Sequence, residues 1–115
     1  MTFTAPQHKT EYLTECLVES VNNFWKVNSI ENNSDFRTVL HYQVAKKYIK
    51  VYRIDVYKGV IREGRSVFMF IDKETGAVYK PASYKAPAKG IRFYLESLVE
   101  TPEIVDQYGS FLYRR

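Results

Sequence analysis

Residues 36–57, FRTVLHYQVAKKYIKVYRIDVY, decide how this chain folds. Their second half, Tyr48 to Tyr57, is rich in β-branched and aromatic residues and reads as a strand. Alternation puts Tyr48, Lys50, Tyr52, Ile54 and Val56 on one face. Ile49, Val51, Arg53, Asp55 and Tyr57 fall on the other. The first half, residues 36–45, fits two periods. Phe36, Thr38, Leu40, Tyr42 and Val44 alternate as a strand would, but Phe36, Leu40 and Val44 also stand four apart, as on a helix capped by Ser34. The Thr, Val and Tyr content favours the strand, and the short Lys46–Lys47 connection then makes a hairpin.

Working outward, residues 10–26 carry a helical stripe of Leu13, Cys16, Leu17, Ser20, Val21 and Phe24, with Thr10 as N-cap. The polar face opposite holds Glu11, Thr14, Glu15, Asn22 and Asn23. Residues 28–35, NSIENNSD, are turn formers that end this helix. Downstream, KGVIREGR (58–65) makes a turn and SVFMFID (66–72) a third strand. Lys73-Glu74-Thr75-Gly76 has the form of a type I turn closed by a left-handed glycine, leading to a fourth strand, Ala77 to Lys80. Pro81 stops that strand, because proline cannot donate to a ladder. Ile91, Tyr94, Leu95, Leu98 and Val99 then have helical spacing, and Thr101-Pro102-Glu103 restarts a short helix that Gly109 closes. The expected fold class is α+β: a four-stranded antiparallel meander packed on one face by an N-terminal helix and short C-terminal helices. One domain covers 1–115, with 1–9 and 110–115 as poorly ordered tails.

Charge is distributed unevenly. Residues 1–40 balance at −2, residues 41–95 at +8 and residues 96–115 at −2. A cationic body favours anionic partners, in a salt-dependent way; the simpler reading is that lysines keep an aromatic-rich sheet soluble. The single Cys16 cannot form an internal disulfide and fits a reducing compartment. No stretch reaches the roughly 20 apolar residues of a membrane span, and the N-terminus lacks a signal peptide's apolar run. The expectation is a cytoplasmic protein without membrane contact.

Catalytic chemistry finds little to stand on. His8 and His41 are far apart in sequence, and His41 lies in a strand where packing explains it. Cys16 falls on the helix stripe and reads as a structural thiol; with one Cys and two distant His no zinc spacing exists, and no glycine-rich phosphate loop occurs. Asp55 and Asp72 have basic neighbours enough to account for them. The expectation is a non-enzyme with no cofactor and no metal.

The segment with physical content is 72–95, DKETGAVYKPASYKAPAKGIRFYL. Lys80, Lys85, Lys89 and Arg92 alternate there with aromatics and two prolines. Cations for phosphates beside aromatic faces for bases is the chemistry of single-strand binding, so Lys80, Tyr84, Lys85, Lys89 and Arg92 are the candidate polyanion or nucleic-acid site. Alternatively Pro81 and Pro87 hold the segment extended, its alanines let it lie close to the body, and Tyr84 pins it as a fixed strap. The tyrosines of residues 48–57 likewise read either as core or as a solvent-facing platform.

Phe70 to Arg92 also resembles a signature of small proteins encoded by bacteriophages, notably those of marine bacteria and cyanobacteria. In those proteins a tryptophan often stands where Tyr84 stands here. The likeness covers 70–95 closely and Tyr48 to Val51 more loosely. It implies a phage or marine metagenomic origin and work in an infected bacterial cytoplasm. By association it favours nucleic acid or a host protein as partner, and it transfers no functional residues. The rival expectation is a protein-interaction module that docks on a host protein or forms a homodimer.

Overall fold

A computed structural model describes residues 6–61, 66–106 and 109–113. Helix α1 runs Pro6–Glu31 and is followed by strands β1 (Phe36–Val44), β2 (Tyr48–Tyr57), β3 (Val60–Ile61), β4 (Ser66–Asp72), β5 (Ala77–Tyr79) and β6 (Phe93–Tyr94). Helix α2 (Leu95–Glu100) and 3₁₀ turns at Pro102–Ile104 and Ser110–Tyr113 complete the order. The class is α+β and the sheet is antiparallel, in the order β1-β2-β4-β5-β6 with β3 also on β2. Residues 36–44 are strand, paired along their whole length with β2.

The four-strand expectation is corrected to a six-stranded sheet, through two short pairings with local causes. Lys58 and Gly59 both take positive φ (51° and 78°). That is the type I′ geometry whose twist matches a hairpin, and it folds Val60–Ile61 back onto β2. Phe93–Tyr94, expected in a helix, instead extends beside β5, and Leu95 N–H closes the ladder onto the Gly76 carbonyl at 2.8 Å. Helical spacing over so short a span was outcompeted by an open strand edge. The turn before β5 forms as expected: Gly76 has φ 76°, and Asp72 Oδ1 accepts the Glu74 and Thr75 N–H groups at 2.8 and 3.1 Å.

Helix α1 is longer than its sequence signals. It starts at Pro6, so residues 6–9 are helix rather than tail; residues 1–5 lie outside the described residues. It continues through Asn28–Glu31 because its end is closed by a Schellman pattern. Asn33 sits at φ 53°, Ser34 N–H donates to Ser29 O and Asn33 N–H to Ile30 O. The buried stripe is also rotated from the expected one. Thr10, Thr14, Leu17, Val18, Val21 and Trp25 face the sheet, while Ser20 and Phe24 face outward and Leu13 and Cys16 lie at the margin. Thr10 is thus no cap. Thr14 is accommodated in the core because its hydroxyl donates to the Thr10 carbonyl at 2.8 Å. Trp25 takes the place expected of Phe24, since its larger apolar area is buried and its N–H reaches Val105 O at 3.3 Å.

The core lies between α1, α2 and one sheet face. Leu40, Ile49, Val51, Met69, Ile71 and Val78 meet Leu17, Val21, Trp25, Leu95 and Leu98 in one buried cluster. The segment expected as a C-terminal tail belongs to it as well: Phe111 and Leu112 are buried, and Phe111 packs on Phe68 and Phe93 at ring separations of 5.9 and 5.6 Å. Gly109 (φ 72°) opens this last turn rather than closing the previous one. Residues 114–115 lie outside the described residues.

Phe68 is an extra residue on β4. Val51 pairs with Met69 but Tyr52 with Val67, so the register slips by one at a bulge. The slip sends Phe68 toward Trp25, at 6.3 Å edge-to-face, and keeps Phe70 on the opposite sheet face.

Candidate functional site

Strand alternation leaves one sheet face without helices. By register it carries Arg37, Val39, His41 and Gln43 from β1, Tyr48, Lys50 and Tyr52 from β2, Val67, Phe70 and Asp72 from β4, and Tyr79 from β5. Phe70 and Tyr52 are nevertheless buried, at 1% and 3% exposure. No helix covers them: Tyr84 lies beside Tyr52, and Tyr48 and Lys50 lie against Phe70.

Segment 80–88 is a small hairpin. Ala88 N–H donates to Lys80 O, Ala82 and Ser83 N–H both point at Ala86 O, and Pro81 bridges Pro87. Ser83 Oγ accepts from Lys85 and Ala86 N–H, rounding the tip. These bonds are internal to the segment. The Tyr84 ring meets the sheet, 6.0 Å from the Tyr52 ring and 4.7 Å from Lys50 Nζ. The same ammonium lies 5.7 Å from the Phe70 centroid, so Lys50 is held between two aromatic faces. Tyr48 continues the row, edge-on to Phe70 and Tyr79, with Lys47 Nζ 5.4 Å from its ring. The segment is a hairpin rather than an extended strap, and Ala82 and Ala86 stay exposed, but Tyr84 does pack on the sheet. Tyr84 keeps 49% of its surface exposed.

The structure spreads the five sequence-derived residues along the segment rather than gathering them. Tyr84 and Lys85 are at the hairpin tip, both exposed; Lys80 (half-buried) and Lys89 (exposed) are at its base. Arg92 lies beyond Gly90 in the ladder, its N–H donating to Val78 O at 2.8 Å. Its Nε is shut off from solvent with no hydrogen-bond acceptor among the described residues. Lys50, Tyr48 and Tyr52 complete the surface and were not among those five. Their signal was the alternation of YIKVYRIDVY, which puts all three on one face.

Charge is partitioned between the two sides. Between Glu74 and Glu96 the chain has no acidic residue. Of the described strand residues on the open face, Asp72 is the one acid. The helical side carries Glu11, Glu15, Glu19 and Glu31 on α1, then Glu96, Glu100, Glu103 and Asp106 with no base among residues 95–106. Burial first, and then the carboxylates of Glu15, Glu11 and Glu19, raise the Tyr42 hydroxyl above its ordinary pKa. Burial, then Asp72, does the same for Tyr79.

The acids noted on the strands have local partners. Asp55 Oδ1 accepts from the Thr38 hydroxyl at 3.3 Å and lies 3.9 Å from Arg53 Nε, while Asp72 builds the turn. Among the described residues no three His, Cys, Asp or Glu side chains gather as metal ligands would, and no helix is long and apolar enough to cross a membrane.

Fold and site together define an α+β domain with an acidic helical layer on one side and a cationic, tyrosine-bearing sheet face, strapped by a hairpin, on the other. The chain belongs to a family of unknown function, DUF7717, whose family model matches residues 3–114. No curated protein and no solved structure matches it.

Proposed function

We propose that this protein is a small non-enzymatic binding module that takes single-stranded nucleic acid on its open sheet face and hairpin. The observation that carries the reading is the partition of charge and aromatics. Lys50, Tyr48 and Tyr84 share the side that has almost no acid, and the helices hold the carboxylates. A polyanion is steered to one side of such a molecule and repelled from the other. Lys80, Lys85, Lys89 and Arg92 neutralise phosphates, and the exposed part of the Tyr84 ring offers a base a stacking surface already oriented by Lys50 and Tyr52. The resemblance to phage-encoded proteins is consistent with such a role in an infected bacterial cytoplasm.

The test is fluorescence anisotropy of a labelled single-stranded oligonucleotide at low and moderate salt, with duplex and heparin as competitors. Micromolar affinity that falls with salt, prefers the single strand and drops in the Lys80→Ala/Lys85→Ala/Lys89→Ala variant supports the reading. Each phosphate contact removed lowers the log–log salt slope by about 0.7. No binding, or equal competition by heparin, overturns it and reduces the cationic surface to a solubility feature.

A further inference from the structure

Between the start of β4 and the hairpin lies an open-sided slot of about 350 Å³, lined by Ser66, Val67, Pro81, Ala82, Ser83 and Tyr84. Val67 pairs with Tyr52 in the β2–β4 ladder and therefore stands on the open sheet face, half-buried. Pro81 to Tyr84 come from the hairpin, whose Ala82 and Ser83 N–H groups are fixed on Ala86 O. The slot is thus floored by the sheet and walled by a segment with its own hydrogen bonds, so little ordering is needed to fill it.

The lining says what fits. Ligand sites begin at about 300 Å³, so a slot of this size takes one small group. The Tyr84 ring gives it a flat aromatic wall. Lys50 Nζ lies over that ring at 4.7 Å but does not line the slot, which meets ring surface that the ammonium leaves open. Val67 and Pro81 add apolar contact. Ser83 Oγ accepts the Lys85 and Ala86 N–H groups at 3.3 and 3.2 Å, which leaves the hydroxyl's own proton for an outside acceptor. Lys80 and Lys85 flank the four hairpin residues directly in the chain, and no acid occurs between Glu74 and Glu96. A flat apolar group with acceptor atoms on its edge and negative charge on both sides is a nucleobase within a strand.

We infer that the slot between Val67 and Tyr84 holds a single nucleobase. The base lies against the Tyr84 ring and over Val67 and Pro81, Ser83 Oγ donates to its edge, and Lys80 and Lys85 meet the adjoining phosphates. Every base has an aromatic face, so the slot is tolerant of sequence. This inference rests on the single-strand reading. It adds Val67, Pro81 and Ser83 as base-contacting residues and divides the affinity into a phosphate part and a base part.

Fluorescence anisotropy with two labelled strands of equal length tests it, one an oligothymidylate and the other carrying abasic sugars throughout. Their phosphates are equal in number, so their salt slopes should agree. The oligothymidylate should bind tighter by a factor of about five or more, the gain that one stacked base gives. Val67→Trp fills the slot from the sheet side, and Tyr84→Leu removes its aromatic wall at the exposed tip. Each variant, with its folding checked by circular dichroism, should bring the ratio of the two affinities close to one. Equal affinities in the parent overturn the slot and leave phosphate-driven binding standing. A ratio that neither variant lowers puts the stacked base elsewhere and overturns the slot alone. Failure of both strands to bind overturns the slot and the single-strand reading together.

Discussion

Lys50 Nζ sits 4.7 Å from the centre of the Tyr84 ring, joining the middle of β2 to the tip of a hairpin more than thirty residues later in the chain. The hairpin's backbone hydrogen bonds close on the segment itself, and this contact and the Tyr52–Tyr84 ring pair join its tip to the sheet. Cation–π contacts of this kind contribute about 0.5–2 kcal/mol.

Tyr84→Ala is accordingly expected to release the strap without unfolding the domain. Amide hydrogen exchange at Ala82, Ser83, Ala86 and Ala88 should accelerate, while the amides of β2 and β4 keep their protection. Tyr84→Phe retains the ring and should leave exchange unchanged. Equal acceleration across the sheet would show that Tyr84 supports the whole fold instead.

Asn22 on α1 brackets the exposed edge of the sheet. Its Nδ2 donates to Leu40 O at 3.0 Å and its Oδ1 accepts Leu40 N–H at 2.8 Å, so one side chain satisfies both backbone groups of an edge-strand residue. Asn22→Ala leaves both groups without that partner in a part-buried position, and about 1–3 kcal/mol should be lost. Urea denaturation followed by fluorescence checks this; an unchanged midpoint would mean that water replaces the amide fully.

Trp25 is the single tryptophan, 3% exposed, packed edge-on against Phe68. Its emission should be blue-shifted in the folded state and move red on unfolding. Trp25→Ala should cost about 3–5 kcal/mol, as removal of large core aromatics does. Phe24→Ala, at the neighbouring outward position, should cost well under half as much. Comparable losses at the two sites would contradict the rotation of the helix stripe.

Alkaline pH should destabilise the fold through Tyr42 and Tyr79. Burial, then nearby carboxylates, raises both hydroxyls above the ordinary tyrosine value. In the unfolded chain they ionise near pH 10. Above that point the unfolded state sheds protons that the folded state retains, so stability present below about pH 10 is lost as pH rises through the folded values. Thermal midpoints between pH 8 and 11 should fall less steeply in Tyr42→Phe than in the parent. Identical slopes would remove Tyr42 from the account.

Much of the sheet could be read from the chain because its signals are local. The β-branched, aromatic run of 48–57, the Asp72–Gly76 turn and the stop at Pro81 each depend on a few neighbouring residues, and each appears where those residues put it. The segment 80–92 was legible as a cationic, aromatic stretch for the same reason. The underlying platform was half legible: alternation grouped Tyr48, Lys50 and Tyr52, but nothing in their spacing says that a distant tyrosine covers them.

Sequence alone determined the class, the hairpin pairing of β1 with β2 and the concentration of cations between residues 41 and 95, since strand propensity, turn chemistry and charge are properties of short segments. Tertiary structure decided which face of α1 is buried, because Trp25 and Phe24 are both apolar and only the shape of the opposing sheet distinguishes them. It also recruited Phe93–Tyr94 into the sheet and Phe111–Leu112 into the core, where contact with an open edge or an apolar surface outweighs weak local preference. The placement of Tyr84 over Lys50 belongs to the same category: it stabilises the molecule only after two segments remote in sequence have been brought together.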